Sequence, residues 1–182
     1  MAIIIFDFDD TLFDTARLKK TIFEKLASFG VDSKNVAETY HTAKDSDGNY
    51  SIQTHSQNLL ISQSDFDSLE WFTQLDFENY LFDDTHTILS ELSKDHSLFL
   101  LTKGTEALQN LKIDKSGIRK YFTQVYITPS AKSTFLHTVP LSEEIYFIND
   151  KDSENTVIQE TFPHIKILTP HTRLTWVSDI QK

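Results

Sequence analysis

MAIIIFDFDDTLFDT, residues 1–15, decides how the rest of the chain is read. Ala2–Phe6 is a continuous β-branched and aromatic run without alternation, which suits a strand buried on both faces of a parallel sheet. It runs straight into Asp7, Asp9 and Asp10, with Asp14 just beyond. Carboxylates this close repel and raise one another's pKa unless a cation or a phosphate shares their space. On extended backbone, residues two apart aim the same way, so Asp7 and Asp9 are expected to face a common site. Such a pair suits a division of labour, with one ionised as nucleophile and metal ligand and the other protonated as general acid. A solvated acidic turn would explain the same residues taken alone. The later strands decide between the two.

Four further apolar runs follow: Ser97–Thr102, Gln124–Thr128, Ile145–Asn149 and Ile165–Thr169. From the second run onward, the gaps hold helical segments: TEALQNLKI, AKSTFLHTV and SENTVIQETF, the last with Ser153 as its expected N-cap. Strands alternating with helices predict an α/β fold, Rossmann-like, with a parallel five-stranded sheet, helices on both faces and right-handed crossovers. The first connection differs, since roughly ninety residues separate the first two strands, far more than a crossover needs. Helical patterns fill it, beginning with ARLKKTIFEKLASFG, where Leu18, Ile22, Leu26 and Phe29 share a face and Gly30 marks the stop. Asp14 suits its N-cap, and Ser64 or Asp65 that of SDFDSLEWFTQL. Residues 1–14 and 83–182 are thus expected to form the core domain and residues 15–82 a helical cap subdomain. In LFDDTHTILSELSKD, Ile88, Leu89 and Leu92 are expected to face inward.

Bulk properties narrow the chemistry. Of 182 residues, 39% are hydrophobic, enough for a real core. A net charge of −10 argues against a nucleic-acid polymer or an anionic membrane as partner, because both need a basic patch. A small phosphorylated metabolite remains compatible if a metal and one or two lysines act locally. Absence of cysteine excludes disulfides, a thiol nucleophile and Cys-ligated zinc. The N-terminal apolar run is too short for a signal segment and no stretch approaches the ~20 apolar residues of a membrane span, so a cytoplasmic protein is expected. Seven scattered histidines show no ligand spacing. KDSDGNY, residues 44–50, fails as a calcium loop: counting from Asp45, Gly48 comes fourth rather than sixth, and the twelfth residue is Ser56 rather than Glu. A polar connecting turn is expected there. Trp71 and Phe72, with Phe66 nearby, are expected in the packing of the insertion, and Trp176 and Val177 against the sheet edge.

In an open parallel sheet, ligands bind beyond the carboxyl ends of the strands. Strand-end residues therefore matter most. Thr102, Lys103 and Gly104 follow the second run, with a hydroxyl and main-chain N–H groups suited to phosphate. Lys132 opens the helix after the third run, against the usual dipole preference. Asp150, Asp152 and Glu154 follow the fourth.

In this order, the four stretches resemble the haloacid dehalogenase superfamily of phosphotransferases. IIIFDFDDTLF resembles its first motif, Asp-x-Asp-x-Thr after an apolar strand, at Asp7, Asp9 and Thr11. SLFLLT resembles the second at Thr102, Lys132 the third, and INDKDSEN the fourth at Asp150 with Glu154. Asp10 stands where the family often has Gly, Lys103 where a polar residue such as Asn is frequent, and Asn149 where Gly or Asp is typical. The resemblance implies a phosphatase of small phosphomonoesters with an aspartyl-phosphate intermediate and a short helical cap of the C1 type. Asp7 would be the nucleophile and Asp9 the general acid and base. Thr102, Lys132 and Lys103 would bind phosphate. Mg2+ would be held by Asp7, Asp9 (through its main-chain carbonyl) and Asp150. Glu154 and Thr11 would stand behind them, with Asp152 and Asn155 open as alternatives to Glu154. A phosphomutase and a non-catalytic protein-binding module are the competing readings.

Overall fold

In a computed structural model, which describes residues 1–139 and 144–180, five parallel strands form one sheet in the order β3-β2-β1-β4-β5. The strands are β1 (Ile3–Phe6), β2 (Ser97–Lys103), β3 (Gln124–Thr128), β4 (Ile145–Ile148) and β5 (Lys166–Leu168). The fold is the α/β, Rossmann-like arrangement that the alternating runs predict. β1 lies at the centre, paired with β2 from Ile3↔Ser97 to Phe6↔Leu100 and with β4 from Ile3↔Ile145 to Phe6↔Ile148. That double pairing explains its four consecutive buried residues: both faces are covered, so no polar alternation is tolerated.

Helices in chain order are α1 (Thr15–Ala27), α2 (Ser33–Thr39), α3 (Ile52–Asn58), α4 (Ser68–Thr73), α5 (Thr85–Leu92), α6 (Glu106–Lys115), α7 (Lys132–Leu136), α8 (Asp152–Thr161) and α9 (Trp176–Ile180). One face of the sheet packs Ile3, Ile5, Phe99, Leu101 and Phe147 against Leu136, Ile158 and Phe162 of the α7 and α8 region. On the other face, Phe6 meets the edges of Phe122 and Trp176 at ring distances of 6.1 and 6.0 Å. Trp176 is therefore buried against the central strand rather than at the sheet edge, with its indole N–H donating to the Thr169 carbonyl at 2.9 Å. Ile88, Leu89 and Leu92 of α5 are buried as their spacing predicts.

The chain divides into two compact units, Met1–Asp14 with Phe77–Lys182, and Thr15–Asp76. Residues 77–82, read from the sequence as part of the insertion, pack in the first unit. Phe13 stacks on Phe77 at 6.3 Å, the Asp14 N–H donates to the Tyr80 carbonyl at 2.7 Å, and that of Phe82 to the Leu12 carbonyl at 3.1 Å. Residues 140–143 and 181–182, included in the expected core domain, lie outside the described residues.

Within Thr15–Asp76, Leu18, Ile22 and Leu26 form the buried face of α1, and Gly30 ends the segment at φ +82°, where a Cβ would be strained. Two expected caps move. Asp67, not Ser64 or Asp65, caps α4 by accepting the Glu70 N–H at 2.9 Å, because residues 62–65 form a separate turn on the Ser62 side chain. In the other unit α8 begins at Asp152, so Ser153 lies inside it and no side chain caps it. KDSDGNY is a turn held by Asp45, which accepts the N–H groups of Asp47 at 3.0 Å and Asn49 at 2.8 Å. Phe66 and Phe72 are buried, whereas Leu69 between them is exposed. Among the described residues, no helix is long and apolar enough to cross a membrane.

Candidate active site

β1 delivers Asp7 to the carboxyl edge of the sheet, where its N–H donates to the Ile148 carbonyl at 2.8 Å. The chain then turns tightly, and the Phe8 carbonyl accepts the N–H groups of Thr11, Leu12 and Phe13 at 3.3, 2.9 and 3.0 Å. Asp10 stands in the left-handed region at φ +58°. Glycine or a short polar residue fits there best, which gives a physical reason for Asp at this position.

Lys132 is the centre of the site. Only 2% exposed, its Nζ lies 2.8 Å from Asp7 Oδ1 and 3.1 Å from Glu154 Oε2 and donates to Asn149 Oδ1 at 2.8 Å. The contact with Glu154 is an ion pair by distance alone, since Glu154 Oε2 makes no hydrogen bond. Two carboxylates and one amide oxygen surround the ammonium, and this compensation makes burial of the charge tolerable. Asn149 is fixed in turn: its Nδ2 donates to Asn155 Oδ1 at 2.9 Å, and Asn155 Nδ2 returns a bond to the Asn149 carbonyl at 3.2 Å. The sequence offers Asn149 only as a variant position and Asn155 only as an alternative outer residue. Here both hold Lys132 in place.

Burial pushes the Asp7 carboxyl up to about 7, against the opposing pull of Lys132 and with a further push from Asp9. Burial also pushes Glu154 up, but Lys132 and Lys151 outweigh it and hold that carboxyl below its ordinary range. Lys151, whose Nζ lies 3.6 Å from Glu154 Oε1, loses to burial and gains more from Glu154, Asp7 and Asp150, so it is raised.

Thr102 and Thr11 are both fully buried, and neither hydroxyl has a hydrogen-bond partner among the described residues. Asp150 Oδ1 is likewise buried and unpartnered. Leaving such atoms unsatisfied is costly, so they mark where a ligand's polar atoms would be received. Lys103 differs: its side chain is exposed, and its carbonyl accepts from Gln109 Nε2 at 2.9 Å. Asp9 turns its carboxylate to α6, where Lys112 Nζ lies 2.5 Å from Oδ1 and Gln109 Nε2 donates to Oδ2 at 2.9 Å. Neither partner is singled out by the sequence reading. Asp152 is exposed.

The donors at this edge are all oxygens, with carboxylates from Asp7 and Asp150, which suits a hard divalent cation such as Mg2+. Among the described residues, no group of three or more His, Asp or Glu side chains could hold a metal ion. Each Asp9 carboxylate oxygen has one partner on α6 and keeps a second lone pair, and the expected role of Asp9 as metal ligand falls to its main-chain carbonyl.

Residues 4–137 match the family model described as haloacid dehalogenase-like hydrolase. No protein of curated function matches the chain. Among solved structures, a haloacid dehalogenase-like hydrolase from Burkholderia xenovorans LB400 superposes with a TM-score of 0.73 at 18% identity, over 91% of this chain and 82% of that one. A protein from Thermotoga maritima described as a β-phosphoglucomutase gives 0.64 at 15% identity, over 99% and 100%. A HAD-hydrolase from Bacillus subtilis, bound to magnesium, gives 0.55 at 14% identity over 82% and 78%. At these identities the likeness is one of fold.

Proposed function

Because the chain belongs to the haloacid dehalogenase-like hydrolase family, we propose that it is a magnesium-dependent phosphatase of a small phosphomonoester, working through an aspartyl-phosphate on Asp7. The observation that carries this reading is the buried ion pair of Asp7 with Lys132, beside the unpartnered Thr102, Thr11 and Asp150 oxygens. A buried cation against a carboxylate at a sheet's carboxyl edge suits a nucleophile that must meet an anionic substrate. The oxygen-only donor set and the magnesium-bound relative of the same fold support Mg2+.

In the first half-reaction, an Asp7 oxygen attacks phosphorus in line as the P–O ester bond breaks, and Asp9 gives its proton to the departing alkoxide. In the second, Asp9 takes a proton from water, whose oxygen attacks phosphorus. The bond to Asp7 then breaks and inorganic phosphate leaves. Lys132 and the Thr102 hydroxyl would hold the phosphoryl oxygens, with Lys103 reaching in from the surface. Glu154 and Asn149 keep Lys132 aimed at Asp7, and Thr11 lines the same buried edge. Mg2+, when held by Asp7, Asp150 and the Asp9 carbonyl, would offset negative charge between nucleophile and phosphate.

Phosphomutase chemistry is the second reading, favoured by the fold shared with the Thermotoga maritima protein. Phosphate release from a panel of phosphomonoesters, with Mg2+ and with EDTA, tests the proposal. Turnover that requires Mg2+ and is lost in Asp7→Asn is expected. Transfer to a second hydroxyl without free phosphate would favour the mutase, and no reaction by folded protein would favour a binding module.

A further inference from the structure

Helix α6 contributes nothing to the chemistry just described, yet it supplies partners to both carboxylate oxygens of Asp9. Lys112 and Gln109 are 5% and 3% exposed, one helical turn apart on the buried side of α6. A buried lysine is costly unless paired. Lys112 is paired with Asp9 Oδ1 at 2.5 Å, and its ammonium stands 5.1 Å from the ring centroids of Phe8 and Phe13, on the same turn as Asp9. Gln109 Nε2 bridges Asp9 Oδ2 and the Lys103 carbonyl, each at 2.9 Å. Gly104 makes room for that bridge: its φ is +154°, and a Cβ there would lie 2.7 Å from Gln109 Nε2. The array thus ties the Asp9 carboxylate to the end of β2, at Lys103, the residue next to Thr102.

A carboxylate that only solvates a turn needs no such anchorage. One that must pass a proton along a fixed line to a substrate oxygen does, because misplacement by about 1 Å can cost ~100-fold in rate. We infer that Lys112 and Gln109 are positioning residues for Asp9, fixing its carboxylate for the acid–base step. This rests on the acid–base role proposed for Asp9, so the test separates the two.

The experiment compares wild type, Lys112→Met, Gln109→Leu and Asp9→Asn on p-nitrophenyl phosphate and on an alkyl phosphate from the active panel, with folding checked by near-UV circular dichroism. p-Nitrophenolate leaves without a proton, whereas an alkoxide needs one. Lys112→Met is expected to lower kcat/KM ~10–100-fold for the alkyl ester and less than about 3-fold for the nitrophenyl ester. Gln109→Leu, which keeps the ion pair and serves if Lys112→Met does not fold, is expected to show the same split to a smaller degree. Asp9→Asn is expected to show it most strongly. If Asp9→Asn shows the split while folded Lys112→Met or Gln109→Leu lowers both esters equally or leaves both unchanged, the positioning role is overturned and the acid–base reading stands. If Asp9→Asn shows no split, the acid–base reading fails and the inference with it.

Discussion

Replacing Lys132 by methionine removes a buried cation from between two buried or half-buried carboxylates, and the cost can be worked from its contacts. The ammonium is 2.8 Å from Asp7 Oδ1, 3.1 Å from Glu154 Oε2 and 2.8 Å from Asn149 Oδ1, with a side chain 1% exposed. Deleting one partner of a buried pair typically costs ~3–5 kcal/mol, because the other charge is left without compensation. Asp7 has an escape, since it can stay protonated. Its carboxyl is already raised by burial from 3.8 to about 7. The native state therefore holds a proton that the unfolded chain releases, and stability falls as pH rises through that window. At pH 5 Asp7 is largely protonated in the folded wild type and the ion pair is weak; at pH 8 it is ionised and the pair is complete. The deficit of Lys132→Met should accordingly be about 3 kcal/mol at pH 8 and about 1 kcal/mol at pH 5. For a chain of 182 residues this corresponds to a Tm loss of ~6–12 °C at pH 8. Thermal unfolding in EDTA at the two pH values measures it, and adding Asp7→Asn should restore part of the loss. A Tm loss below about 2 °C at pH 8, or one equal at both pH values, would refute the reasoning.

Three other predictions follow from the same geometry. Mg2+ must displace the Asp7 proton below about pH 7, so its apparent affinity by calorimetry should weaken ~10-fold per pH unit below 7 and level off above it; equal affinity from pH 5 to 8 would contradict this. Arg173 donates to the Thr11 carbonyl, lies 3.2 Å from Asp84 Oδ1 and stacks 4.5 and 4.8 Å from the Phe82 and Trp176 rings, so Arg173→Ala should lose ~2 kcal/mol in denaturant titration. A smaller loss, with Trp176 fluorescence unchanged, would mean that this contact does not anchor the site's turn. Gly104→Ala should lose ~1–3 kcal/mol and lower the alkyl-ester rate, because strain at φ +154° and contact with Gln109 both follow; unchanged stability and rate would count against the bridge to Asp9.

What the sequence reveals depends on how local each cause is. β1 is legible because burial on both faces demands an unbroken apolar run, and the parallel sheet follows from strand–helix alternation, whereas the order of its strands is seen only in the fold. The cap Asp67 and the uncapped start of α8 at Asp152 are not legible, since several polar residues stand near each helix start and tertiary packing chooses among them. Lys132 is visible as a cation at a helix start, but Asn149 and Asn155 act through side-chain hydrogen bonds that no pattern announces. Lys112 lies 103 residues from Asp9 and reads as an ordinary helix lysine. The one available signal is that Gln109 and Lys112 share a face with buried Ile113, where polar residues would otherwise be unfavourable. Arg173 and Trp176 belong to a tail without a motif, and only the fold brings them to Thr11 and Phe6.

The central claim is that phosphate passes through Asp7. The most direct measurement is acid quenching of the enzyme during turnover with Mg2+, followed by peptide mapping of the phosphorylated residue. The account predicts a phosphoryl group on the Asp7 peptide of the wild type and none in Asp7→Asn, which should also be inactive. Sustained turnover by Asp7→Asn, or turnover by the wild type with the label on another residue, would contradict it.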